Sequence, residues 1–223
     1  MLDGLNGLSD TTLLAWIESS LSSGRHQLAA GYQGQTLLYQ DDQLKLVIKV
    51  PHGRGLARYF HIRMLKHEYH IYQKLKHFMP APTCYGFVAE QYLVLAYIDA
   101  PSLRQSPPED EAYFYAQLFQ HIKSLHKLGI AHMDLKKKDN LLVLDGREPI
   151  LIDFGAAVEN KNSWHLINHY WYRLAQRFDF NAWIKLKYKR QLDNISPADK
   201  PYYRKTWAER IAKKLKPFVH RQS

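Results

Sequence analysis

The 223-residue sequence contains a single cysteine, Cys84. One thiol cannot form an internal disulfide, so a disulfide-stapled scaffold is excluded and a reducing compartment is the natural setting. The chain also lacks any run of about 18 consecutive apolar residues, the length a membrane-spanning helix needs. No basic stretch followed by an apolar segment stands near Met1, as a secretory signal would require. These absences lead us to expect a cytoplasmic protein, free or peripheral at the inner face of a membrane. Acidic residues are scarce in one region. Residues 161–223 hold 15 Lys and Arg against 4 Asp and Glu, whereas residues 1–160 hold 16 against 17. The net charge of +10 therefore belongs to the C-terminal part. Such asymmetry fits either an anionic partner, such as a membrane surface, or a solvated helical surface.

What the chain does have is enough apolar residue, 46%, to bury a sizeable core. Its most informative stretch is 130–155. His132, Asp134, Lys136 and Asn140 stand on a short loop, followed by the apolar run Leu141 to Leu144. A second apolar run, Ile150 to Ile152, ends in Asp153-Phe154-Gly155, and Asp145-Gly146 between the runs is a strong hairpin signal. A loop feeding a hairpin would bring Asp134, Lys136, Asn140 and Asp153 to one small volume. Oxygens able to hold Mg²⁺, a carboxylate for an acceptor hydroxyl and a lysine for a phosphate are the parts of phosphoryl transfer.

The rest of the chain supplies a support for these residues. Residues 10–21 predict an amphipathic helix capped by Asp10, with Leu13, Leu14, Ile17 and Leu21 on one face. Ala29 to Thr36 predicts two strands around a turn holding Gly31 and Gly34, where missing Cβ atoms would let backbone N–H groups approach phosphate oxygens. Leu44 to Val50 alternates with period two and carries Lys49 on a buried strand, and lysine is rarely buried unpaired. Residues 56–77 contain neither Pro nor Gly, and Phe60, Met64, Glu68, Ile71 and Leu75 predict the inward face of a helix. Glu68, the only acidic residue there, needs a cation. Lys49 is the obvious candidate, and a rim position beside Lys66 or His67 is the alternative. Gly86 to Glu90 and Tyr92 to Ile98 predict a strand pair. Ser106-Pro107-Pro108-Glu109 predicts a helix start, running to Leu128 with Tyr115, Leu118, Ile122 and Leu125 inward and Gly129 as the stop. His121 and His126, five residues apart, do not share a helix face as a metal pair would. Residues 203–216 suit a basic amphipathic helix with Trp207, Ile211 and Leu215 on one side.

The ordered set Gly31 and Gly34, Lys49, Glu68, Asp134, Asn140 and Asp153 resembles the protein-kinase-like superfamily over residues 29–155. The resemblance implies an α+β, two-lobed kinase-like fold in a single domain. Its N-lobe, residues 1–98, would be a small antiparallel sheet. Its truncated, mainly helical C-lobe would span 99–223, with a basic aromatic tail from 161. It further implies ATP and Mg²⁺ as cofactors. Lys49 would hold the phosphates and Glu68 would fix Lys49. Asn140 and Asp153 would bind the metal, Asp134 would orient the acceptor hydroxyl, and Lys136 would stabilise charge on the transferred group. Main-chain groups near Ala96 and Ile98 would meet the base, with Leu95 behind it. His132 would be a scaffold residue.

Two departures stand out. Met133 replaces the usual arginine, which argues against activation by loop phosphorylation. Six positions instead of five separate Asp134 from Asn140, so Asn140 either keeps its place or yields it to Asp139. After Gly155 there is no Ala-Pro-Glu. The aromatic, basic tail is similar to the bacterial lipopolysaccharide kinase family, which implies a core-sugar hydroxyl as acceptor and contact with an anionic membrane surface. His-x-Asp-Leu-Lys and Asp-Phe-Gly are more similar to Ser/Thr protein kinases, the alternative reading. A nucleotide-binding pseudokinase or regulator is the reading from another class. Nucleic acid is not expected as a partner, because the basic residues form no recognisable motif.

Overall fold

The computed structural model describes residues 8–31, 34–161 and 166–204. The tail helix expected over 203–216 therefore lies almost wholly outside the described residues, as do Tyr32 and Gln33 of the glycine turn. The chain divides into two compact units, Met1–Ala100 with Ile150–Ala156, and Pro101–Pro149 with Ala157–Ser223.

In the first unit, helix α1 (Asp10–Ser23) is capped by Ser9, whose Oγ accepts the Thr12 N–H at 3.1 Å. Asp10 is thus not the cap but the first helical residue, where its charge complements the helix dipole. Five antiparallel strands follow: β1 (Gln27–Gly31), β2 (Gly34–Gln40) and β3 (Lys45–Pro51), then, after helix α2 (Gly55–Lys74), β4 (Cys84–Val88) and β5 (Tyr92–Ala96). Their order in the sheet is β1-β2-β3-β5-β4. Period-two alternation along β3 sends Leu46, Ile48 and Val50 to one face, where they share a core with Leu13 and Ile17 of α1, Leu37 and Val94. Full burial of each such aliphatic side chain contributes about 1.5–3 kcal/mol. The same alternation sends Lys49 to the opposite face, toward α2.

The inward face of α2 differs in part from expectation. Leu65, Glu68, Ile71, Tyr72 and Leu75 are buried, but Phe60 and Met64 are exposed. At 3.6 residues per turn each step of four drifts about 40°, so Phe60 lies about 80° around the helix from Glu68.

In the second unit, helix α3 (Glu111–Lys127) begins later than Ser106. Its cap is Asp110, whose Oδ1 accepts the Tyr113 N–H at 2.9 Å. Ser106 instead closes a preceding turn, its N–H on the Ser102 carbonyl at 3.0 Å. Phe114, Tyr115, Leu118, Ile122 and Leu125 face inward, and Gly129 at φ +75 ends the helix region. Strand β6 (Ile130–Ala131) leads into the catalytic-type loop, and β7 (Leu141–Leu144) and β8 (Glu148–Leu151) form the expected hairpin. Asp145 and Gly146 at its tip both have positive φ, +50 and +70, as the hairpin turn of this length requires. A Cβ at Gly146 would meet the Glu109 side chain at 2.8 Å, a second reason for glycine there. The chain counts with the first unit from Ile150 to Ala156 and returns through β9 (Val158–Glu159), which pairs with β6.

Helix α4 (Leu166–Lys187) then packs on α3. Trp183 is fully buried, donates Nε1–H to the Tyr115 carbonyl at 2.8 Å, and stacks on Phe119 with ring centroids 4.5 Å apart. Tyr172 is buried and Tyr202 packs edge-on against Phe119. Among the described residues after Gly155, Tyr172 and Trp183 are therefore core, while Tyr170 and Trp171 are exposed. The architecture is the expected α+β fold, a small antiparallel sheet with helices followed by a mainly helical part. No helix among the described residues is long and apolar enough to cross a membrane.

Candidate active site

The candidate residues fall into two groups, one in each unit. In the first unit, Lys49 Nζ lies 2.7 Å from Glu68 Oε1 and 2.8 Å from Asp153 Oδ1. Strand β3, helix α2 and the segment after β8 thus meet on one amine. Glu68 is almost wholly buried and also accepts from the Phe154 main chain. Burial opposes the charge on Lys49, but the two carboxylates outweigh it and hold the amine above its ordinary pKa. Burial likewise pushes Glu68 up against the opposing pull of Lys49. The pair is therefore poised, with a cation that stays charged at neutral pH and can face phosphate oxygens. Phe154 is fully buried and packs edge-on against Tyr72 at 5.3 Å, fixing the segment that carries Asp153. Asp153 itself holds φ +65, a conformation rarely adopted without glycine and one that collects at functional sites.

Gly31 and Gly34 face each other across the β1–β2 pair. At the far end of β5, the Ala96 N–H is committed to the Thr83 carbonyl at 2.8 Å and the Tyr97 N–H to the Lys45 carbonyl at 3.1 Å. Ala96 can therefore offer a ligand its carbonyl and not its amide. The Ile98 carbonyl accepts from the Ala100 N–H at 3.0 Å.

In the second unit, the loop after β6 gathers Asp134 and Asn140. Asn140 is buried, and its Nδ2 lies 3.1 Å from the Asp134 carbonyl and 3.4 Å from Asp134 Oδ2. The extra residue has therefore not carried Asn140 away from Asp134. It is absorbed in the 3₁₀ turn Lys138–Asn140, closed by the Asn140 N–H on the Lys137 carbonyl at 3.0 Å. Asp139 is engaged elsewhere, by Arg104 at 2.7 Å. Lys136 is exposed, and the amine that sits on Asp134, at 2.5 Å, belongs to Lys137.

One residue central to this loop was not anticipated. Asp179 of α4 is fully buried and accepts three hydrogen bonds, from the His132 N–H at 2.8 Å, the Met133 N–H at 2.7 Å and His126 Nε2 at 2.9 Å. Met133 has φ +69, unfavourable for a residue with a Cβ, and the Asp179 carboxylate holds it there. His126 and His132 are thus structural, the latter fully buried. The signal for Asp179 was in the sequence: it is the only acidic residue between Lys161 and Leu192 and lies between Phe178 and Phe180. The argument that singled out Glu68 applies to it unchanged.

The residues present fit Mg²⁺ with a nucleotide. Asp153 offers carboxylate oxygen. In the second unit Asn140 Nδ2 faces Asp134, so its amide oxygen is the remaining polar atom, also a hard donor of the kind Mg²⁺ takes. Among the described residues no group of three His, Cys, Asp or Glu could hold a metal alone.

Comparison with known proteins places these observations. Residues 45–168, over half the chain, match the RIO domain. The chain is 37% identical over 91 residues to a probable serine/threonine-protein kinase of Dictyostelium discoideum, covering 37% of this chain and 7% of that protein. It is 33% identical over 90 residues to serine/threonine-protein kinase D of Synechocystis, covering 38% and 18%. The chain thus spans less than a fifth of either relative. Among solved structures it is similar to the Rio2 kinase of Chaetomium thermophilum, with TM-score 0.60, 18% identity, and coverage of 92% of this chain and 72% of that one. The same kinase solved as an ADP/Mg²⁺-phosphoaspartate complex gives TM-score 0.56 and 19% identity, with 92% and 71% covered. The kinase-like resemblance holds, while the narrower likeness to lipopolysaccharide kinases, drawn from the tail, finds no counterpart in these matches. By the match to the greater part of its length, the chain belongs to the RIO-domain family of the protein-kinase-like superfamily.

Proposed function

We propose that the protein is an ATP- and Mg²⁺-dependent kinase whose acceptor is a serine or threonine hydroxyl of a protein. The observation that carries the reading is Lys49 held between Glu68 and Asp153. Bound Mg²⁺–ATP supplies the phosphoryl group and the cation that neutralises it. Lys49 faces phosphate oxygens, positioned by Glu68. Asp153 in the first unit would be a metal ligand, and Asn140 in the second would offer its amide oxygen as one. Asp134 orients the acceptor hydroxyl and takes its proton, and Lys137 or the exposed Lys136 offsets negative charge at that point. The Ala96 carbonyl and main chain at Ile98 receive the base, and the glycines at 31 and 34 admit backbone close to the phosphates.

A protein acceptor is favoured over a lipopolysaccharide sugar because the curated relatives are serine/threonine kinases, whereas the sugar reading rests on the charge of the tail alone. The phosphoaspartate in the neighbouring Rio2 complex favours a second reading, transfer to a carboxylate of the enzyme itself.

The test is transfer of labelled phosphate from ATP with Mg²⁺ to a mixed protein acceptor, to purified lipopolysaccharide and to the enzyme alone. Label stable to hydroxylamine on protein is expected, with a loss of about 10²–10⁴-fold in Asp134→Asn, the range of a general base. Hydroxylamine-labile label on the enzyme selects the carboxylate reading, and label on lipopolysaccharide selects the sugar. Absence of any transfer, with nucleotide still bound, would leave a regulator and end the enzyme reading.

A further inference from the structure

Asn140 stands on an irregular support, since one residue more than the family motif separates it from Asp134. The neighbourhood of that residue is built. Asp139 turns outward, and Arg104 Nε lies 2.8 and 2.7 Å from its two carboxylate oxygens. Arg104 is brought there by main-chain pairing. The Leu103 N–H donates to the Leu141 carbonyl at 2.8 Å, the Val143 N–H donates to the Pro101 carbonyl at 2.9 Å, and Ser102 bridges antiparallel to Leu142. Residues 101–104 thus run along the start of β7 and grip both neighbours of Asn140, Leu141 through the backbone and Asp139 through Arg104.

We infer that Arg104 is a positioning residue for phosphoryl transfer: through Asp139 it holds the lengthened loop so that the Asn140 amide stays at the metal position. The inference rests on the proposed metal role of Asn140. A short 3₁₀ turn has poor hydrogen-bond geometry and little stiffness of its own. With an added residue the turn has more ways to place Asn140, and fixing both flanks removes most of them. Groups that orient a metal ligand without touching the metal commonly affect metal affinity more than overall stability. The effect here is limited because both partners are more than half exposed, and salt screens such a pair. The competing role for Asp139 is direct metal ligation, in which case Arg104 would hold a ligand away from its ion.

The experiment titrates Mg²⁺ at saturating ATP for wild type, Arg104→Ala, Asp139→Ala, the double alanine variant and the charge-exchanged Arg104→Asp/Asp139→Arg pair. Both single variants are expected to need about two- to fivefold more Mg²⁺ for half-maximal rate, the range open to an exposed ion pair. The melting temperature and the KM for ATP should change little. The double alanine variant should be no worse than either single one, the exchanged pair should recover, and the differences should shrink at high salt. Tighter Mg²⁺ use in Arg104→Ala with weaker use in Asp139→Ala would overturn the clamp in favour of ligation by Asp139. Additive losses would overturn it as well. The side-chain amide signal of Asn140, followed by NMR in the same variants, needs no turnover. If wild type transfers no phosphate, the kinase reading fails, yet a shift or broadening of that signal in Arg104→Ala still supports the clamp and an unchanged signal refutes it.

Discussion

At the scale of single residues, a charge on an apolar face is the feature that most constrains what surrounds it. Glu68 is 3% exposed in its side chain and Lys49 20%, so neither can lose its partner without leaving a poorly hydrated charge. Removing one member of a buried pair costs about 3–5 kcal/mol, and the partial exposure of Lys49 puts this site near the lower end. Lys49→Met is therefore expected to destabilise by about 3 kcal/mol in urea unfolding. Adding Glu68→Gln removes the more deeply buried of the two carboxylates left behind, so the double variant should be more stable than Lys49→Met alone. Additive losses across that cycle would show that the two groups do not act as a pair. This pair was legible in the sequence because both members break an apolar pattern, one of period two and one of period 3.6. Asp179 broke the same kind of pattern and carries more hydrogen bonds, but α4 lies beyond the motifs that drew attention to the first two. The geometry of the Asp134 loop was legible only in part. The residue count showed an excess before Asn140, while the direction in which Asp139 turns depends on Arg104, 35 positions earlier.

Secondary-structure elements fix where such residues sit, and their ends carry measurable energy. Sequence offers two capping residues for α3, Ser106 and Asp110, and the structure uses the second. Replacing a working cap by alanine costs about 1 kcal/mol. Asp110→Ala is expected to lose about that much and Ser106→Ala clearly less, read as shifts in the urea midpoint at constant slope. Equal losses would place the helix start where the proline pair suggested. Helix α4 has a larger role, because Asp179 ties it to the loop bearing Asp134. Asp179→Ala leaves the buried N–H of His132 and the part-buried N–H of Met133 without their acceptor, at up to about 1–3 kcal/mol each. A loss of about 3 kcal/mol is expected, and Met133 is released from its left-handed conformation. The rate of transfer should fall more than ATP binding, since the loop, and not the Lys49 group, loses its anchor. Proportional loss of both would argue against that separation. The same element shows why aromatic residues among cations do not by themselves mark a binding surface. Composition cannot distinguish a tyrosine that packs against a neighbouring helix from one displayed at a surface, and Tyr172 and Trp183 do the former.

Across the whole molecule, the chain does not divide at one point. The first compact unit is residues 1–100 completed by 150–156, a segment delivered only after the second unit has begun. Period and turn signals foretold the strands, helices α1 to α3 and the hairpin, because each is encoded in contiguous residues. They did not foretell that Ile150–Ala156 completes the first unit, since that depends on contacts about 70 to 100 residues apart: the Leu151 N–H on the Pro80 carbonyl at 2.8 Å, Phe154 against Tyr72, and Asp153 on Lys49 at 2.8 Å. A fragment of residues 1–100 retains all five strands, α1 and α2, yet lacks a fully buried phenylalanine whose burial contributes about 1.5–3 kcal/mol. It also lacks one of the two carboxylates on Lys49, and its Tyr72 side chain is uncovered. A small domain has only a few kcal/mol to lose. The fragment is therefore expected to show weak near-ultraviolet circular dichroism and a broad unfolding transition, although its far-ultraviolet spectrum should retain strand and helix. Addition of a synthetic peptide spanning residues 148–158 should sharpen the transition and shift the Tyr72 resonances. If the fragment alone unfolds as sharply as the intact chain and ignores the peptide, residues 150–156 are a passenger on the first unit. The placement of Asp153 beside Lys49 would then depend on the second unit for its delivery and on nothing within the first for its stability.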